Sequence, residues 1–232
     1  MTQTLDRVAE ADTARERDIP GPLWRVAGVL VILHVVLMLA GFSQEKSVVL
    51  TDGPDTVQRV YGSGSLGRIF AGGYVEMLAF LVLLPAIIFL SRALGRRTET
   101  GRWAAQTALA AGVTYVASTV AVGLPAGAAA VYGAHHHLAD GGTIALVNDV
   151  RNFAFFISLA VLGLHALATG VSALADGVMR RWVGVGGIVV GVLMLLAMTT
   201  QGVADTVNLS SMIWMVWWLG LGISLLRRPS AR

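Results

Sequence analysis

The apolar runs of this chain constrain its fold more than any other feature. A helix needs roughly 20 apolar residues to cross the ~30 Å hydrocarbon layer of a bilayer. Six segments supply them, at 23–42, 72–94, 103–124, 153–175, 182–200 and 209–226. Composition agrees. Of 232 residues, 55% are hydrophobic and only 13% charged, where a soluble domain carries about a quarter charged residues. Mean hydropathy is +0.69. The sequence predicts an all-α polytopic membrane protein, a bundle of six transmembrane helices in one domain at 23–227. A polar tail is expected at 1–22 and a short basic one at 228–232.

The first run reads as a retained span rather than a signal peptide. It is too long for a signal h-region, its leader mixes both charge signs, and no small-residue cleavage site follows it. Orientation comes from the basic residues, which concentrate on the cytoplasmic side of short loops. With both termini cytoplasmic, 13 of the 17 Lys and Arg residues lie inside and 4 lie outside. Trp24, Trp103 and Trp182 then begin spans at the inner interface, where aromatic belts form. This topology accounts for the sequence pI of about 9.8 without a nucleic-acid partner. The expected partners are the lipid bilayer and a second membrane protein, and the expected location is the cell (plasma) membrane, crossed several times. The external loop at 43–71 is the longest connection. Its turn residues, in TDGPDT and YGSGSLG, predict partial order.

Several segments carry a resemblance to a known pattern. The first run ends in Gly-Phe-Ser before the long loop, and the block LGRIFAGGYVEMLAFLVLLPAIIFLSRAL follows. Later come NFAFFISLAVLGLHALATGVSAL, a short basic turn and WVGVGGIVVGVLML. In this layout, over about 23–196, the chain resembles an uncharacterised family of six-helix bacterial integral membrane proteins, a domain of unknown function. The resemblance implies a helical membrane bundle and brings no catalytic residues.

Ionisable groups at membrane depth are costly and mark sites or structural pairs. Glu76 falls near the outer end of the second span, and Arg151 lies at similar depth before the fourth. Asp149 sits beside Arg151 on a different helix face, and Asp205 precedes the sixth span. With Asn148, Asn152, Gln201 and Asn208 these residues predict a polar outer vestibule and a Glu76–Arg151 ion pair. His34 and His165 lie within the first and fourth spans. Each is 11 residues from the expected inner boundary, roughly 16 Å at 1.5 Å per residue. Matched depth is what axial ligation of a b-type haem needs. The plainer reading is two neutral imidazoles bonded to neighbouring helices.

The segment VYGAHHHLADGG places three consecutive histidines in the loop after the third span. In an extended loop His135 and His137 share a side, and Asp140 joins them as a metal-ligand set. The alternative is a solvated polar loop. In GVGGIVVGV, Gly187 and Gly191 form a small-residue pair that suits close helix packing. The chain has no cysteine, which excludes disulfides and thiolate chemistry. It also lacks a phosphate loop, nucleophile elbow or zinc-protease motif. The leading expectation is a non-enzymatic membrane protein with an accessory, regulatory or structural role and no cofactor. A small transporter or channel using the vestibule comes second. A haem redox protein using His34 and His165 comes third.

Overall fold

Apolar segments have no water to satisfy their backbone N–H and C=O groups in a bilayer, so they close those bonds internally as helices. The computed structural model describes residues 19–45, 48–50, 52–200 and 204–228, with the backbone alone at 200 and 204–208. Among these it is all helical. The α-helices are α1 (Gly21–Phe42), α2 (Pro54–Gly62), α3 (Leu66–Ala93), α4 (Glu99–Ser118), α5 (Leu124–His135), α6 (Gly141–Asp176), α7 (Arg181–Ala197) and α8 (Ala204–Leu226). A π-helical turn, Thr119–Gly123, joins α4 to α5, and a 3₁₀ turn, Met198–Thr200, follows α7.

Five of these units are long and apolar enough to cross a membrane: α1, α3, the continuous Glu99–His135 unit, α6 and the Leu209–Leu226 part of α8. The 17 residues of α7 fall short by that measure. Hydropathy placed the spans but not the helix lengths. The third helix was expected to end near 124 and the fourth to start near 153. Instead Glu99–His135 runs for 37 residues and Gly141–Asp176 for 36, each about 55 Å long. The extra turns are built from AGAAA, which favours helix, and are started by Asp140 as the N-cap of α6. These turns project beyond a hydrocarbon layer of ~30 Å, so they need little hydrophobicity.

Successive long helices run antiparallel. Gly41 of α1 lies against Gly72 of α3, and Ile87 of α3 against Gly112 of α4. Ser172 of α6 bonds the carbonyl of Gly101 at the start of α4, whereas Ser158 meets Ser118 at its end. Gly170 of α6 meets Gly184 of α7, and Gly163 meets Gly191. Trp182 of α7 packs on Gly220 of α8, while Gly28 of α1 packs on Gly222. The order α1–α3–α4–α6–α7–α8 therefore closes into a ring, with α8 back on α1. Gly187 and Gly191 sit in the α6–α7 seam, so that small-residue pair serves packing within the chain.

The loop expected to be only partly ordered contains α2. Its Val57 and Tyr61, with Val48, pack on Ala130, Val131 and Ala134 of α5 and Ile144 of α6. This small second core stands beyond one end of the ring. The basic turns at Arg96–Arg97 and Arg180–Arg181 occupy the other end. These are called the α2 end and the arginine end below.

Candidate functional site

The middle of the ring is aromatic. His34 on α1 donates from Nδ1 to the Ala79 carbonyl of α3 at 2.9 Å. His165 on α6 donates from Nδ1 to the Ala108 carbonyl of α4 at 2.8 Å. A carbonyl only accepts, so Nδ1 carries the proton in both rings. Both side chains are sealed, at 0% and 1% exposure. Their Nε2 atoms find no partner among the described residues, and neither do the indole nitrogens of Trp214 and Trp218. Ring contacts run from His34 to Trp214 (5.8 Å), to Trp218 (5.2 Å, stacked) and on to His165 (5.5 Å). Two stacked indoles thus lie along the path between the imidazoles. In the run MIWMVWW, Trp214, Met215, Trp217 and Trp218 are buried, and Met212 is exposed.

Toward the α2 end the rings part around a cavity of about 420 Å³. Phe42, Phe80, Tyr115, Phe155, Phe156 and Trp214 contribute aromatic surface to its wall. Among the described residues its charged members are Glu45, Glu76 and Arg151. The π turn supplies Thr119 and Gly123 to the same wall. Pro125 explains its position: lacking an N–H, it cannot bond the carbonyl four residues earlier, and the helix widens there.

Glu76 and Arg151 were expected to pair. The structure brings both to one cavity, but Arg151 bonds elsewhere. Its Nη2 donates to Glu45 Oε2 at 2.7 Å, and its Nη1 to the Tyr61 hydroxyl at 3.4 Å. Tyr61 in turn donates to Asn148 Oδ1 at 2.6 Å. Burial raises the Tyr61 phenol above its ordinary pKa, with the Arg151 charge opposing. The Gly127 position explains how Arg151 reaches across, because a Cβ there would press on its Cδ and Nε. Glu76 is 4% exposed, and its Oε1 has no partner among the described residues. A Cβ at Gly41 would collide with its Cγ, so the glycine leaves the carboxylate room. Glu45, Leu124 and Arg151 also line a second cavity of about 290 Å³ beside α2 and α3. The ion pair stands between the two.

Other expected members fall differently. Asn152 lines the main cavity with Nδ2 unpartnered. Asp149 is not part of the lining. Gln201 lies outside the described residues, as do the side chains of Asp205 and Asn208. The histidine segment is not an extended loop. His135 ends α5, His136 caps it and His137 adopts a left-handed φ of 53°. Asp140 is committed to α6, accepting from the Thr143 N–H at 2.8 Å, a bond that holds its carboxyl below the usual range. Among the described residues no three His, Asp or Glu side chains converge to hold a metal ion.

Sequence reasoning missed two carboxylates. Glu45 lay in a loop read as partly ordered, so it gave no sign of proximity to Arg151. Asp176 was given no role. It ends α6 and accepts from the N–H groups of Arg96 (2.7 Å), Arg97 (3.3 Å) and Thr98 (3.1 Å) and from the Thr98 hydroxyl (2.9 Å). That clamp fixes the α3–α4 turn at the arginine end. The signal available was an acid at a helix end before Gly177, a left-handed cap.

Long apolar helices wrapped around a sealed aromatic centre define a multi-pass α-helical membrane protein. The chain belongs to the family described as Domain of unknown function (DUF4386), whose model matches residues 26–228. No curated protein and no solved structure matches it.

Proposed function

We propose that this is a non-enzymatic membrane protein of the bacterial plasma membrane that binds a small ligand in the Glu76 cavity, as a carrier does. The observation that carries this reading is a buried carboxylate, Glu76, whose Oε1 has no partner among the described residues, in an aromatic-walled cavity of about 420 Å³. Binding sites for small molecules are concave, mostly apolar and furnished with a few polar groups, at about 300–1,000 Å³. The π turn at the wall supports the reading, because such irregular turns favour functional positions. In this proposal α7, extended by its 3₁₀ turn, makes a sixth crossing. Both termini face the cytoplasm, as the 13 to 4 division of basic residues argues, and the cavity belongs to the outer half. A haem held by His34 and His165 is the competing reading. It requires Trp214 and Trp218 to separate, and it predicts a Soret band in the purified protein.

The absence of cysteine makes labelling direct. A single cysteine at Asn152 should react with a charged, membrane-impermeant thiol reagent applied from outside, as should one at Ser63 near α2. A cysteine at Leu221, buried in the ring, should not react. If position 152 stays inert while position 63 reacts, the cavity is closed to water and the binding reading fails. Labelling of position 63 only from the cytoplasmic side would reverse the proposed topology.

A further inference from the structure

We infer that the cavity selects a lipophilic monocation, an aromatic or alkyl ammonium compound, with Glu76 as its counter-charge. This inference rests on the ligand-binding reading above and adds the chemical class. Among the described residues, three charged side chains face the cavity: Glu45, Glu76 and Arg151. Arg151 is neutralised by Glu45 at 2.7 Å and further engaged by Tyr61. An anion would have to compete with that carboxylate for the guanidinium. Glu76 has no such partner at Oε1. Among the described residues, these three groups when ionised leave one negative charge uncompensated. A buried charge in that state calls for a cation.

The surrounding rings fit the same ligand. Phe80 and Tyr115 make edge contact at 5.4 Å, and Tyr115 lies 6.3 Å from Trp214. All three rings border the cavity with Glu76. Aromatic faces carry negative potential and attract ammonium groups within about 6 Å, more strongly where water is excluded. Apolar lining from Met38, Leu159 and Met215 suits the hydrocarbon part of such a ligand. The polarizable thioethers of methionine tolerate varied shapes.

The test compares three small probes with one aromatic body, measured by equilibrium binding to the full chain in lipid nanodiscs, with empty nanodiscs subtracted. Benzyltrimethylammonium carries a permanent positive charge, neopentylbenzene is its uncharged isostere, and benzylsulfonate is an anion. The cation should bind about ten-fold or more tightly than the isostere, and the anion least. Glu76→Gln should erase the preference for the cation over the isostere. Glu76→Asp, which keeps the charge, should retain part of the preference and guards against a folding defect in the glutamine variant. Equal binding of cation and isostere, or a preference that survives Glu76→Gln, overturns the cation inference and leaves the cavity reading standing. Preferred binding of benzylsulfonate overturns it in favour of recognition by Arg151. If none of the probes binds while a cysteine at 152 is labelled, the inference fails alone. If none binds and 152 is inert, both readings fail.

Discussion

Two carboxylates in this protein are equally buried and opposite in every other respect. Asp176 and Glu76 are each 4% exposed. Asp176 ends a helix and accepts four hydrogen bonds from the turn it anchors. Glu76 lies within α3, and one of its oxygens accepts none. Their surroundings differ in the same sense. Near Asp176, Gly101 is so close that a Cβ there would strike the carboxylate. Around Glu76, six aromatic residues frame empty space. Burial alone therefore does not distinguish a structural acid from a binding acid. The number of satisfied hydrogen bonds does, because a charge left without partners is stable only where something else is to meet it.

The largest test of this contrast is Asp176→Ala. It strands three backbone donors and a hydroxyl, and it should lower unfolding stability by on the order of 3 kcal/mol. Thermal unfolding in detergent would measure it, and a loss below about 1 kcal/mol would place Asp176 with Glu76. Gly170→Ala should follow at about 2 kcal/mol, since its Cβ would meet the Gly184 carbonyl and the Ile188 nitrogen of α7. Gly73→Ala on α3, whose Cβ meets nothing within 4 Å, is the control and should not destabilise.

Charge pairing gives the next effect. A double-mutant cycle on Glu45→Gln and Arg151→Gln should show coupling of about 1–2 kcal/mol, exceeding that between Glu76 and Arg151. A stronger Glu76–Arg151 term would mean that Glu76 is a structural partner after all. Glu76→Gln alone should reverse the sign of the Asp176 result, raising stability by about 0.5 kcal/mol by removing a buried acid whose Oε1 has no partner among the described residues.

The smallest effect lies outside both regions. The Asp140 carboxyl is held below its ordinary range by the Thr143 N–H. A depressed folded pKa stabilises above the unfolded value, about 3.9, and that contribution is lost as pH falls through the folded value. Hydrogen exchange at the Thr143 amide should thus lose protection in acid, and Asp140→Ala should remove that pH dependence. An unchanged acid profile in the variant would show that the cap does not control the start of α6.

The legible part of the fold was the part governed by solvation. Apolar runs near 20 residues marked every helix of the ring, since bilayer thickness sets that length. The helical turns around Ala129 and Leu146 escaped notice because bilayer thickness sets only the apolar part of a helix and not the turns that extend it. The cavity was half legible. Glu76, Arg151 and Asn152 stood out as polar residues beside apolar runs, and the structure collects all three. The ion-pair partner was not, because Glu45 reaches Arg151 across 106 residues of sequence, a distance no local pattern encodes. The π turn was equally hidden, for a single proline does not announce whether a helix will kink, stop or widen.

The closure of α8 onto α1 also sets an order of events. A chain leaving the ribosome delivers α1 first, and His34 can find the Ala79 carbonyl as soon as α3 has entered the bilayer. Its aromatic neighbour Trp214 is made only near the end. Until then the side of α1 that α8 covers stays open, while α3 already packs on its other side. An arrest after α7 would release an open crescent rather than a smaller finished bundle. The protein gains its sealed interior in one late step, when the two ends of the membrane domain meet.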